Sequence, residues 1–246
     1  MQSIEQFYPI LNKPFKAVIT SHQKPDGDAM GSSLGLYHFL KQLGHEVTVI
    51  SPTNWASFLD WMPGTEEVID FEANKEKATS IIQAADYLFC LDFNILHRTK
   101  HLEPIIKEAK ALKILVDHHQ QPDTPSFGYG ISDVKMSSTC EMIYDIIVQS
   151  GHSNLINLDI ATALYTGLMT DTGSFRFPST TASVHKIVAH LKEVGLQHSK
   201  IHENIYDQSS EGRLKFMGNA FLNRMHVFPE YKTAVMAIPK TDIYKF

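Results

Sequence analysis

Residues 15–43 read FKAVITSHQKPDGDAMGSSLGLYHFLKQL and hold a complete strand–turn–helix unit. The apolar run 15–21 is a strand, and His22, Asp26 and Asp28 follow it at once. Over 29–43, Met30, Leu34, Tyr37 and Leu40 or Lys41 recur at helical spacing, and Gly44 ends the pattern. Pro25 fixes its own φ, and Gly27 admits conformations closed to other residues, so the turn can aim several side chains into one small volume. Two aspartates one residue apart repel unless a positive charge lies between them, and a metal ion supplies it. Helix capping accounts for one aspartate. It does not account for His22, Asp26 and Asp28 together, so the turn is read as metal-binding.

The segments around this unit predict an α/β fold. EVTVIS (46–51) is a second strand, 67–70 a short one, and 75–85 a helix; a loop over 52–64 carries Trp55 and Trp61. YLFCLD (87–92) and LKILVD (112–117) are continuous apolar runs of the kind buried on both faces of a parallel sheet, and each ends in aspartate. Ligands of open α/β sheets gather at the carboxyl ends of the strands. That edge therefore receives His22, Asp26 and Asp28, then Asp92, then Asp117, His118 and His119.

The second half reads as helical: 137–150 after a Ser-Ser-Thr start, 158–169 with Leu158, Ala161, Leu164, Tyr165 and Leu168 on one face, 180–194, and a long or broken helix over 203–227. Residues 231–238 (YKTAVMAI) read as a strand of a new unit. Asp171, in GLMTDTGSF, joins the candidates. Each has an ordinary use, as a cap, a turn or an exposed loop residue. Four coincidences at strand or helix ends favour one site.

Composition narrows the class. A chain of 246 residues with 43% hydrophobic and 20% charged residues can bury a substantial core. A net charge of −5 argues against loose electrostatic binding to long duplex nucleic acid, while leaving room for a small phosphorylated substrate. Cys90 and Cys140 lie in apolar segments and read as buried thiols. The N-terminal MQSIEQFYPI lacks the pattern of a signal peptide, and no apolar stretch is long enough to span a bilayer. The expectation is a cytoplasmic protein that does not engage a membrane.

The four stretches, His22-x3-Asp26-Gly-Asp28, Asp92, Asp117-His118-His119 and Asp171 in TDTG, resemble the DHH phosphoesterase superfamily in content and order. The resemblance covers roughly residues 15–180. With SHxxPDGDAxGSS, Asn94 and Arg98 after Asp92, and SSTCEMIYDII, it is nearest the bacterial oligoribonuclease and phosphoadenosine-phosphate phosphatase branch. It implies a parallel-sheet DHH catalytic domain over 1–195 flanked by helices, a helical linker over 196–228, and over 229–246 the truncated start of a C-terminal substrate-binding domain. The glycine-rich motif ending in histidine that grips substrate in that domain does not occur here.

The resemblance also implies two divalent ions, Mn²⁺, with His22, Asp26 and a bridging Asp92 holding one, and Asp28, Asp92, His118 and Asp171 the other. Histidine and aspartate without cysteine suit a hard or borderline ion, and four carboxylates balance two divalent charges. Such a pair, about 3.5–4 Å apart, activates water and steadies both oxygens of an in-line displacement. By the same carry-over, His119 faces the substrate phosphate and Asp117 orients a ligand histidine. Arg98 is a candidate phosphate fork or else one half of a surface ion pair, and Arg176 is a weaker candidate; Ser137, Ser138 and Thr139 open a helix and read first as its cap, and otherwise as a place where free N–H groups attract phosphate.

The implied function is hydrolysis of short single-stranded oligoribonucleotides or 3′-phosphoadenosine 5′-phosphate. Cyclic-dinucleotide hydrolysis or polyphosphate hydrolysis is the alternative within the same chemistry, and a non-catalytic nucleotide-binding module the alternative outside it. A lone strand over 231–238 would need its edges covered, which a homodimer would do.

Overall fold

The computed structural model describes all residues, 1–246, as two compact units, Met1–Ile201 and His202–Phe246. In the first unit the strands are β1 (Gln2–Ser3), β2 (Lys16–Thr20), β3 (Glu46–Ser51), β4 (Ile69–Asp70), β5 (Tyr87–Leu91), β6 (Leu112–Asp117) and β7 (Tyr129–Ser132). The helices are α1 (Gly27–Gln42), α2 (Lys75–Ala84), α3 (Glu103–Glu108), α4 (Thr139–Gln149), α5 (Leu158–Asp171), α6 (Ala182–Glu193) and α7 (His198–His202), the last crossing into the second unit.

All seven strands pair in parallel, in the order β1-β7-β6-β5-β2-β3-β4. From β2 the chain steps outward to β3 and β4, then returns to place β5 on the other side of β2. The direction of winding reverses between β2 and β5, which opens a crevice beyond their carboxyl ends. His22 follows β2 and Asp92 follows β5, so both stand at that crevice.

Helices cover both faces of the sheet because its central strands are apolar on both sides. Leu88, Cys90 and Leu115 enter a core with Ile82 of α2 and Ile106 of α3. Phe89 and Val116 instead line a hollow with Leu36 and Phe39 of α1 and Ile143 of α4. Both cysteines are buried free thiols. No helix is long and apolar enough to cross a membrane.

The helix expected from residue 29 begins at Gly27, because Asp26 caps it. It is also less one-sided than its apolar spacing implies. Every residue from Gly27 to Leu36 is buried, while Tyr37 is half-buried and Lys41 exposed. The cause is α5, which crosses α1 closely. A Cβ on Gly31 would lie 2.5 Å from the Ala163 carbonyl oxygen, and one on Gly167 would lie 2.8 Å from Asp28 Oδ1. Glycine at these positions lets the helices approach and carries Asp171, at the end of α5, towards the turn after β2. Leu158, expected on the apolar face of α5, is 51% exposed at its first position.

Several elements go beyond the sequence expectation: β1, β7, α3, and a 3-10 segment Ile4–Asn12 that buries Ile4, Phe7 and Leu11. Phe7 meets Phe15, Tyr87 and Phe89 edge-on at ring separations of 6.0, 5.1 and 5.6 Å.

The second unit contains α8 (Glu211–Asn219), β8 (Met225–Phe228), β9 (Thr233–Met236) and α9 (Lys240–Ile243), with π-helical turns at Glu203–Asp207 and Ala220–Arg224. Two expectations are corrected here. The helical run does not reach residue 227, because Met225 begins a strand. The strand expected over 231–238 is not alone, because β9 pairs antiparallel with β8. Asp242 accepts hydrogen bonds from Arg224 Nε (2.6 Å), Arg224 Nη2 (3.1 Å) and Asn219 Nδ2 (2.9 Å).

Candidate metal centre

The turn after β2 gives Asp26 two tasks, one on each oxygen. Oδ1 accepts from the N–H groups of Asp28 (3.0 Å) and Ala29 (3.1 Å), which caps α1. Oδ2 stands 3.9 Å from His22 Nε2. His22 donates from Nδ1 to the Gln23 carbonyl (2.8 Å), which fixes the ring and turns Nε2 towards the carboxylates.

Asp28 lies in the first turn of α1, 1% exposed, against the start of α4. Thr139 N–H donates to its Oδ2 (2.6 Å) and Cys140 N–H to its Oδ1 (2.9 Å). Free N–H groups at a helix start hold a carboxylate as they would a phosphate.

Asp92 adopts a left-handed backbone, φ 62°, a conformation that aspartate tolerates better than most residues. Its N–H donates to the Val116 carbonyl (3.0 Å), which ties the turn after β5 to β6. Its two carboxylate oxygens face different imidazoles: Oδ2 is 3.4 Å from His22 Nε2, and Oδ1 is 3.5 Å from His118 Nε2. His118 Nε2 is also 3.8 Å from Asp28 Oδ2 and 3.5 Å from Asp171 Oδ2, while its Nδ1 donates to the Met136 carbonyl (3.3 Å).

The six side chains expected as ligands thus lie in two overlapping groups. An outer group comprises His22, Asp26 and Asp92; an inner group comprises Asp28, His118 and Asp171, with Asp92 beside it. Within each three-residue group, one ligand atom per residue lies within 4.8 Å of the others. His119 joins Asp92 and His118 in a third such group.

The electrostatics fit cations. The counter-charges within 4.0 Å of these carboxylates are imidazoles. Burial, with the charges of Asp92 and Asp171, pushes the Asp28 pKa well above the carboxylate range. Burial likewise lifts Asp171 to about 6, aided by Asp92 and Asp26 and opposed by His118. Asp92 is the exception: burial opposes its ionisation, but hydrogen bonds from His118 and His22 hold its carboxyl below the usual range. For His118, burial opposes the charged form, but Asp92, Asp28 and Asp171 outweigh it and raise the pKa to about 9. Carboxylates that resist ionising together bind divalent cations favourably, because the ion removes the repulsion.

Two expectations about neighbouring residues are corrected. Ser138 and Thr139, expected to receive substrate phosphate, are completely buried. Ser138 Oγ accepts from Glu141 N–H (3.1 Å) as the cap of α4, and Thr139 Oγ1 donates to Asp92 Oδ1 (3.1 Å). The helix start is filled by Asp28, which leaves a phosphate no access. Ser137 N–H and Oγ both donate to Glu141 Oε2 (2.7 and 2.6 Å). Asp117 orients His119, not one of the expected ligand histidines: it accepts from His119 Nδ1 (2.7 Å) and N–H (3.1 Å). His119 is 37% exposed at its side chain, with Nε2 left for an incoming group.

Arg98 links the turn after β2 to the turn after β5. Its Nη1 donates to the Asp92 carbonyl (3.3 Å), and its own carbonyl accepts from Gln23 N–H (2.9 Å). Arg176 is exposed and donates from Nε to the Gly173 carbonyl (2.7 Å). Sequence reasoning passes over Glu141 and the α1–α5 glycines. Their signals are Ser-x-x-Glu at 138–141 and glycine every fourth residue at 27, 31 and 35.

Residues 16–168 match the family model described as DHH family, N-terminal domain. The chain belongs to the DHH family. It is 30% identical over 188 residues to the bifunctional oligoribonuclease and PAP phosphatase NrnA of Thermus thermophilus, covering 76% of this chain and 52% of that protein. The Bacillus subtilis protein of the same name is 27% identical over 231 residues, covering 93% of this chain and 68% of that one. This DHH chain therefore spans about half the length of the Thermus relative. Among solved structures, an exopolyphosphatase-related protein from Bacteroides fragilis superposes with a TM-score of 0.95 at 37% identity, over 98% of this chain and 71% of that one. The Asp117-His118-His119 triplet and the turn after β2 both fall within the matched region.

Proposed function

We propose that this chain is a metal-dependent phosphoesterase that hydrolyses short oligoribonucleotides or 3′-phosphoadenosine 5′-phosphate. Two divalent ions, Mn²⁺, would be held by His22, Asp26 and Asp92 in the outer group and by Asp28, His118 and Asp171 with Asp92 in the inner one. The observation that carries this reading is Asp92 itself: one buried carboxylate whose two oxygens face His22 on one side and His118 on the other. When bound, the ions supply an activated water and charge stabilisation for in-line displacement at phosphorus.

The chain's own residues do the rest. The Gln23 and Met136 carbonyls hold His22 and His118 with Nε2 towards the carboxylates. Asp117 accepts from His119 Nδ1 and leaves Nε2 for the substrate; in the imidazolium form Nε2–H would donate to a nonbridging phosphate oxygen or pass its proton to the leaving oxygen. The Arg98 guanidinium holds the Asp92 turn by donating to the Asp92 carbonyl, so its contribution is to position the site. The relatives named for oligoribonuclease and PAP phosphatase activity support the nucleotide substrate. Residues 1–195 form the catalytic domain in this reading; the linker expected over 196–228 ends before Met225, because β8 pairs with β9, and 225–246 are part of a substrate-binding domain.

Assay of the Mn²⁺-loaded protein on a dinucleotide, phosphoadenosine phosphate, a cyclic dinucleotide and polyphosphate tests the reading. Hydrolysis of either of the first two supports it. Turnover of polyphosphate alone, the reading suggested by the name of the Bacteroides neighbour, overturns the nucleotide assignment. No turnover of any of the four makes the chain a binding module.

A further inference from the structure

The loop after β3 lies against the metal turn. Lys24 and Pro25, between His22 and Asp26, form one wall of a hollow of about 240 Å³; Asn54, Trp55 and Ala56 form the other. That volume lies below the ~300–1,000 Å³ typical of a drug-sized pocket and suits a single flat ring system.

The two walls are fastened together. Lys24 adopts a left-handed backbone, φ 49°, and its N–H donates to Thr53 Oγ1 (2.7 Å). Thr53 is buried; its Oγ1 donates in turn to the Asn54 carbonyl (3.0 Å), and its own carbonyl accepts from Ser51 Oγ (2.6 Å). The hollow is therefore held at a fixed place beside the outer metal group. Trp55 is half-buried, and its Nε1 donates to Asp60 Oδ1 (2.8 Å), which sets the plane of the indole. Lys24 is exposed and has no carboxylate partner among the ion pairs of the structure.

A fixed indole and an uncommitted ammonium beside a phosphate-handling centre are the elements of single-stranded nucleotide recognition: a platform for the base and a counter-charge for its phosphate. None of the metal-group chemistry requires either. We propose that the hollow between Lys24–Pro25 and Asn54–Ala56 holds a nucleobase of the substrate, stacked on Trp55, with Lys24 as counter-charge to the attached phosphate. The inference rests on the nucleotide reading above and adds what selects a nucleotide over inorganic phosphate chains.

The test uses the full chain carrying Trp61→Phe, so that Trp55 is its only tryptophan. Titration with adenosine 5′-monophosphate quenches Trp55 fluorescence to saturation, and inorganic pyrophosphate does not. In steady-state kinetics, Trp55→Ala raises KM for a dinucleotide about tenfold or more while kcat stays within about twofold. Trp55→Phe restores most of the loss, and an analogue lacking the stacked base is insensitive to the substitution. Absence of quenching, or an unchanged KM in Trp55→Ala, overturns the base site even if the protein hydrolyses dinucleotides. Saturable quenching by the monophosphate in a protein that turns over no dinucleotide keeps the base site and overturns the enzymatic reading.

Discussion

The outer and inner groups use the same two residue types, yet the chain holds them differently. Asp26 of the outer group has a side chain 62% exposed and shares its carboxylate with the cap of α1. Asp28 of the inner group is 1% exposed and fixed at the start of α4. The outer group is built on a turn, and the inner group on a three-helix junction closed by glycine contacts between α1 and α5. Asp92 belongs to both. A residue on the turn can be changed at local cost. A residue in the junction carries charge repulsion that burial magnifies.

The largest expected effect is at the residue the two groups share. Asp92→Ala removes turnover and lowers bound metal in both groups; a variant that keeps two tightly bound ions breaks the link between them. His119 stands beside Asp92, its Nδ1 3.7 Å from Oδ1, but is not one of the six proposed ligands, so His119→Ala keeps metal and lowers kcat by about 10²–10⁴-fold, as loss of an acid–base group does. Metal loss in that variant would make His119 a ligand. Asp117→Asn frees the His119 ring without removing it, and lowers kcat by about 10–100-fold with metal content unchanged.

The inner group also predicts a pH dependence for the metal-free protein. The His118 pKa is raised from 6.5 to about 9, so its contribution to stability is complete below pH 6.5 and is lost as pH rises through 9. Chelated protein should therefore melt at progressively lower temperature across that window, and His118→Ala should flatten this part of the profile. A wild-type melting temperature that rises over the same window contradicts the arrangement of Asp28, Asp92 and Asp171 around the ring.

The smallest effect separates the two tasks of Asp26. Asp26→Ala loses the helix cap, about 1 kcal/mol, along with outer-group affinity. Asp26→Ser keeps a capping oxygen and loses only the affinity. Equal melting temperatures for the two variants would show that the cap contributes nothing.

Much of this is legible in the sequence because continuous apolar strands leave few alternatives. YLFCLD and LKILVD can satisfy both faces only inside a parallel sheet, and their terminal aspartates then come to the carboxyl edge. The turn at 22–28 is legible for its density of charge. What escapes is set by packing between segments distant in the chain. β7 is four residues long, contains Gly130 and takes its place from pairing with β6 and β1. The Ser-Ser-Thr at the start of α4 shows the cap that Ser138 makes, but leaves a phosphate site open as well, because nothing local shows that Asp28 fills the helix start. Asp117 stands beside two histidines, and only the folded loop shows that it bonds to the second. The broken helix over 203–227 carries apolar residues into a strand, where helical spacing alone does not show the change.

Electron paramagnetic resonance of the wild-type protein titrated with Mn²⁺ asks whether Asp92 joins two metal positions. Two ions per chain with an exchange-coupled spectrum are expected. One ion per chain, or two with the spectra of isolated ions, would contradict a shared Asp92.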